Sequence, residues 1–145
     1  MRICICLIIL WCIPPSSISQ SVFLEDISWT EARKVLNHET TIVIPLGAGA
    51  KEHGPHLPLS TDKIQADGLA RIVAKKVNAI FTPTVSYGYY PAFIKYPGST
   101  TTYWHTSRDM VVEIVKTLAG FGPKRFYIIN VGVSTANKFF QYLHQ

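Results

Sequence analysis

The chain has 145 residues, room for one domain, and carries 14 Lys and Arg against 9 Asp and Glu, a formal net charge of +5. The basic residues come as scattered pairs (Arg33-Lys34, Lys75-Lys76, Lys124-Arg125) with no RNA-binding motif, so no nucleic-acid partner is expected. Cys4, Cys6 and Cys12 are the only cysteines, so everything after them lacks disulfides, thiolate metal ligands and a cysteine nucleophile.

The chain opens like an export signal. Arg2 supplies a positive start, and Ile3 to Ile13 is an apolar run of eleven, too short to span a bilayer. "PPSSISQS" follows, with Ser17 and Ser19 as the small residues of a cleavage site after Ser19. Residues 1–19 are therefore expected to be a signal peptide and 20–145 the domain. The mature protein is expected outside the cytoplasm, periplasmic or extracellular, with no stable membrane anchor.

"ISWTEARKVLN" reads as a helix capped by Thr30 or Ser28 and ending near Asn37. "TTIVIPL", residues 40–46, is a β-branched strand. The loop "GAGAKEHGPHLPLSTD" follows at 47–62. The next helix, "TDKIQADGLARIVAKKVN", places Ile64, Leu69, Ile72, Val73 and Val77 on one face, with Thr61 or Asp62 as its cap. A second strand is expected at 79–85, then an irregular segment. "SRDMVVEIVKTLAGFG" is a helix capped by Ser107, with Met110, Val111, Ile114, Val115 and Leu118 as its apolar face, stopped by Gly120 and Gly122. "RFYIINVGV" is nearly unbroken in apolar residues, as a strand buried on both faces should be. "STANKFFQYLH" starts a fourth helix. This alternation predicts an α/β fold, a mainly parallel sheet between helical layers.

In such folds sites collect at the carboxyl ends of strands. The 47–62 loop, "SYGYYPAF" and "NVGVST" all fall there. His53 and Asp62, with an imidazole and a carboxylate, can make half of a Zn or Mn site, with Glu52 or His56 completing or supporting it. Equally, Asp62 can be a helix cap, and His53 and His56 hydrogen-bonded loop residues. The aromatics of "SYGYYPAF", Tyr87 and Tyr89 among them, can wall a pocket or pack the loop. Ser134 with Thr135 can bind an anion at a helix start or cap that helix.

Taken together, "IPLGAGAKEHGPHLPLSTD", "TPTVSYGYYPAFIKYPGST" and "GFGPKRFYIIN" resemble the creatininase (creatinine amidohydrolase) family, from about Leu24 to Asn137. The resemblance implies a three-layer α/β/α hydrolase, commonly a homo-oligomer, with one or two divalent ions, Zn or Mn. It implies cleavage of a non-peptide C–N bond in a cyclic or linear amide by metal-activated water. His53 matches the family's first histidine ligand and Asp62 its bridging aspartate. The chain departs at two places. Lys51-Glu52-His53 stands where the family reads Glu-Gln-His, so Lys51 replaces a carboxylate ligand unless Glu52 substitutes. Asn130 matches the family's Asn-Gly-His, but its histidine falls on Gly132. On this resemblance the metal ligands are His53, Asp62 and Glu52, and the catalytic candidates Lys51 and Glu52. His56, Tyr87, Tyr89, Asn130 and Ser134 are the substrate-binding candidates. Because family members are longer, the chain is expected to be an N-terminal portion with the C-terminal part missing. A non-catalytic small-ligand-binding protein, or an inactive fragment, on the same scaffold is the alternative.

Overall fold

The computed structural model describes residues 21–132. The expected signal peptide, Ser134 and the fourth helix lie outside the described residues. Strand β1 (Val22–Phe23) is followed by helix α1 (Trp29–Val35), strand β2 (Thr41–Leu46), helix α2 (Thr61–Ala74), strand β3 (Ile80–Phe81), helix α3 (Trp104–Ala119) and strand β4 (Arg125–Asn130). No described helix is long and apolar enough to cross a membrane.

The sheet has four strands in the order β1-β3-β2-β4, every pair parallel. β2 runs through the middle, paired with β4 from Thr41↔Arg125 to Leu46↔Asn130. Its side chains alternate between two cores. Ile42, Ile44 and Leu46 join Val111 and Ile80, with Val35 of α1, Leu36 just after it, and α3 residues Ile114, Val115 and Leu118 packed against them. Val43 joins Phe81, Ala79 and Ala70, with Val73 and Ala74 of α2 alongside. Helices thus cover both faces, which gives the expected three-layer α/β/α arrangement.

Local chemistry sets the ends of the elements. At α1 the Ser28 hydroxyl accepts from the Glu31 N–H, and the Glu31 carboxylate accepts from the Ser28 N–H at 2.8 Å. This reciprocal capping box selects Ser28 over Thr30. α3 starts earlier than expected, at Trp104 after Tyr103. Ser107 is therefore inside the first turn, its N–H donating to the Tyr103 carbonyl at 3.0 Å. β3 is shorter than the expected 79–85: after Phe81 only a bridge at Leu46↔Val85 continues the pairing. Pro45 in β2 lacks an N–H and so removes one rung of the ladder beyond Phe81, where pairing resumes with the Val85 N–H donating to the Pro45 carbonyl at 2.9 Å.

Two expectations about burial are corrected. Of the expected face only Val73 packs against the core; α2 leaves Ile64, Leu69 and Ile72 59%, 43% and 60% exposed, and Val77, 44% exposed, lies beyond the end of the helix at Ala74. The helix turns Asp62, Ala66 and Ala70 inward instead. The cause is close approach, since a Cβ at Gly47 would lie 2.4 Å from the Asp62 carbonyl oxygen and 2.8 Å from the Ala66 Cβ. Only a small-residue face fits against a strand end at that range. β4 is not covered on both faces: Tyr127 is 62% and Ile128 41% exposed, because β4 forms an edge of the described sheet.

Candidate active site

The loop after β2 is tied down along its length. Gly49 donates to the Ser86 carbonyl at 2.8 Å, Lys51 to that of Leu59 at 2.9 Å, and Thr100 to that of Ala50 at 2.9 Å. The Glu52 N–H donates to Ser99 Oγ at 3.0 Å. Gly54, at φ 89°, takes the left-handed conformation that reverses the chain just after His53. Asp62 comes from the first turn of α2, which begins after Ser60. Asp62 is therefore inside the helix and not its cap.

These constraints bring Lys51, His53 and Asp62 together below the surface. Lys51 Nζ lies 2.5 Å from Asp62 Oδ2, with both side chains only 8% exposed. Among the described residues Asp62 Oδ2 has no aligned hydrogen-bond donor, so the ammonium serves it as a charge in contact. Asp62 Oδ1 faces His53 Nε2 at 2.8 Å, and His53 Nδ1 faces the Lys51 carbonyl oxygen at 2.6 Å. Both ring nitrogens thus meet oxygen acceptors, and the ring is fixed between loop and helix.

Two aromatic rings close over the ammonium. Lys51 Nζ stands 5.6 Å from the Tyr90 ring centroid and 5.0 Å from that of Phe93. A cation over ring faces away from water is held by their quadrupoles. Burial, and then the charge of Asp62, push the Tyr90 phenol up to about 12, so it stays protonated. Tyr90 and Phe93 belong to the "SYGYYPAF" loop, but nothing in the spacing distinguished them from Tyr87 and Tyr89; the Pro91–Phe93 turn aims them.

The other candidates are placed differently. Glu52 turns back on its own loop, its carboxylate accepting from the Gly54 N–H. His56 is exposed. Tyr87, Tyr89 and Tyr90 line a small cavity with Trp104, Arg108 and Val111, so Tyr90 stands between that cavity and Lys51. Asn130 ends β4 beside Leu46 and closes a turn with Gly132, accepting from its N–H at 3.0 Å.

The donors can be tested against the expected metal centre. An ion on Asp62 Oδ2 would sit about 2.0–2.2 Å from it, in the space of the Lys51 ammonium at 2.5 Å. Among the described residues, no group of three or more His, Cys, Asp or Glu could hold an ion. The arrangement, two donors with an ammonium on one of them, does not fit the one- or two-ion centre.

Comparison with known proteins gives a consistent picture. The family model for creatininase, described as creatinine amidohydrolase, matches residues 25–137. The chain is 27% identical over 118 residues to a creatinine amidohydrolase of Pseudomonas putida, covering 77% of this chain and 45% of that protein. It is 28% identical over 109 residues to a mycofactocin precursor peptide peptidase of Mycobacterium tuberculosis, covering 66% of this chain and 43% of the relative. The chain thus spans less than half the length of these curated relatives. Among solved structures, a creatininase in an Mn form superimposes with a TM-score of 0.73 at 23% identity, over 86% of this chain and 52% of that one. A mutant creatininase of Zn-Zn type gives 0.69 at 23%, over 88% and 55%. At that identity the two structures establish the fold, and their forms show that neighbours carry divalent metal. With a family match over residues 25–137 and a shared three-layer fold, the chain belongs to the creatininase family.

Proposed function

We propose that the chain is part of an exported amidohydrolase that takes a small cyclic or linear amide at the carboxyl end of β2 and hydrolyses its C–N bond. One observation carries this reading: His53 and Asp62 converge at that strand end, 2.8 Å apart, within a match to a family of amidohydrolases. A divalent ion, when bound, supplies such hydrolases with an activated water. The described donors do not fit one, so the roles assigned here belong to side chains alone. Lys51 and His53 fix the Asp62 carboxylate. Tyr90 and Phe93 exclude water from the ammonium. Tyr87 and Tyr89 wall the neighbouring cavity, and Asn130 shapes the β4 side. Export rests on the leader read in residues 1–19, and assembly as a homo-oligomer on the family resemblance.

A second reading is favoured by a specific observation. Both oxygens of Asp62 and both nitrogens of His53 are already engaged within the cluster, as in a protein that binds an amide without cleaving it. Turnover and binding of a panel of cyclic and linear amides separate the two, with release of amine as the readout. Hydrolysis lost in His53→Ala and Asp62→Ala supports the enzyme. Saturable binding with no amine released supports the binding protein. Neither binding nor release rejects both.

A further inference from the structure

We infer that Lys51 supplies the cation of this site: its ammonium occupies, on Asp62, the position a divalent ion would take, and the cluster works without metal. The inference rests on the creatininase scaffold but not on turnover. Two observations converge with the family resemblance. First, the charge is placed as an ion would be, against Asp62 Oδ2 at 2.5 Å with both side chains 8% exposed. A buried carboxylate requires a compensating charge, and here the chain provides it. Second, the ammonium is enclosed. Tyr90 and Phe93 lie 5.6 and 5.0 Å away, and the Lys51 backbone is pinned to Leu59. A lysine held at its backbone and caged at its tip is built in; it is not a surface side chain that has fallen inward. The family resemblance points the same way: it implies a carboxylate ligand where Lys51 stands and a histidine ligand where Gly132 stands, so on that resemblance loss of two ligands accompanies gain of one fixed positive charge. An ion would have to expel Lys51 from its cage and add its own charge beside His53, whose two nitrogens already meet acceptors.

The test measures metal content and melting temperature of the full chain, both independent of substrate. Wild type, Lys51→Ala, Lys51→Glu and Lys51→Arg are incubated with Mn²⁺ or Zn²⁺, dialysed, and assayed by elemental analysis. The inference expects no stoichiometric ion in wild type or Lys51→Arg, and no change in their melting temperature on adding metal. It expects Lys51→Ala to melt lower, and Lys51→Glu, which adds a third ligating side chain, to melt lower and to regain stability with Mn²⁺ or Zn²⁺, taking up an ion that Asp62→Ala in the same background abolishes. One ion per wild-type chain, lost in Asp62→Ala, would overturn it. So would a Lys51→Glu variant that folds and ignores both metals. If the Lys51 variants fail to fold, the wild-type measurement still decides. Amide hydrolysis by a metal-free protein would leave the inference and the hydrolase reading standing together; hydrolysis by a metal-loaded one would keep the hydrolase reading and remove the inference.

Discussion

A lysine and an aspartate facing each other under 8% exposure are a high-stakes pair. Each alone would be an uncompensated charge in a poor solvent. Breaking such a pair from one side costs about 3–5 kcal/mol, whereas replacing both partners with apolar residues of similar size is often neutral. Lys51→Met is therefore expected to lower stability by about 3–5 kcal/mol, and Lys51→Met with Asp62→Leu to recover much of it. Urea unfolding of the four-membered mutant cycle checks this; single-mutant effects that add within about 0.5 kcal/mol would show that the two charges are not coupled. The pair also marks how much of the site could be read in advance. His53 and Asp62 were legible once the motif was recognised, while their spacing alone also allowed a cap and a loop histidine. The partner of Asp62 was not legible. Lys51 reads as a lost ligand in the sequence and as a substituted cation in space, because its meaning depends on Tyr90 and Phe93, some forty residues further on. Three tyrosines within four positions carry no signal of which one turns inward.

At the scale of the elements, the identities of β2 to β4 and α1 to α3 followed from β-branched runs and apolar spacing, the cap only at α1, and errors arose where packing overrode pattern. The larger apolar side chains of α2 predicted its buried face, yet the strand end at Gly47 comes too close for them. Gly47→Ala tests that account. With backbone 2.4 Å from the added Cβ, the helix must move, and overpacking of this kind costs about 1–3 kcal/mol. Because Asp62 rides on the same turn, Gly47→Ala should also loosen the Lys51–Asp62 contact, so its effect should shrink in the Lys51→Met/Asp62→Leu background. Equal effects in both backgrounds would separate the close approach from the site. At α1 the capping box gives a pH dependence with a definite sign. The Ser28 side-chain and backbone hydrogen bonds hold the Glu31 carboxyl below its usual value. A carboxyl depressed on folding stabilises above its unfolded value, and the effect is lost as pH falls through the folded one. Glu31→Gln should therefore melt lower than wild type near neutrality, and the gap should close on acidification. A gap that stays constant with pH would mean that the carboxylate charge contributes nothing to the cap.

At the scale of the whole molecule, the described domain is well packed on one side and open on the other. Ile42, Ile44 and Phe81 are fully buried at the centre of the sheet, while Tyr127 and Ile128 stand exposed on its β4 edge. An edge strand offers unpaired backbone groups to another chain, and folded proteins usually blunt it with charge, proline or a covering element. The middle of β4, Phe126 to Ile129, has no charge and no proline. Within the described residues the apolar strand stays open to solvent at this edge, and no property of its six residues states what lies beyond them. The α2 residues Ile64 and Ile72, 59% and 60% exposed, leave a second apolar surface. Self-association through the described β4 edge is the testable form of the proposed homo-oligomer. Ile128→Lys places a charge on that edge without touching the Lys51–Asp62 cluster. It should shift sedimentation or light-scattering mass toward the monomer, whereas Ile64→Lys on α2 should shift it less. A wild-type preparation that is monomeric across a range of concentrations and melts cooperatively would reject association by either surface. An equal response to both substitutions would locate the contact away from the sheet edge, on nonspecific apolar area.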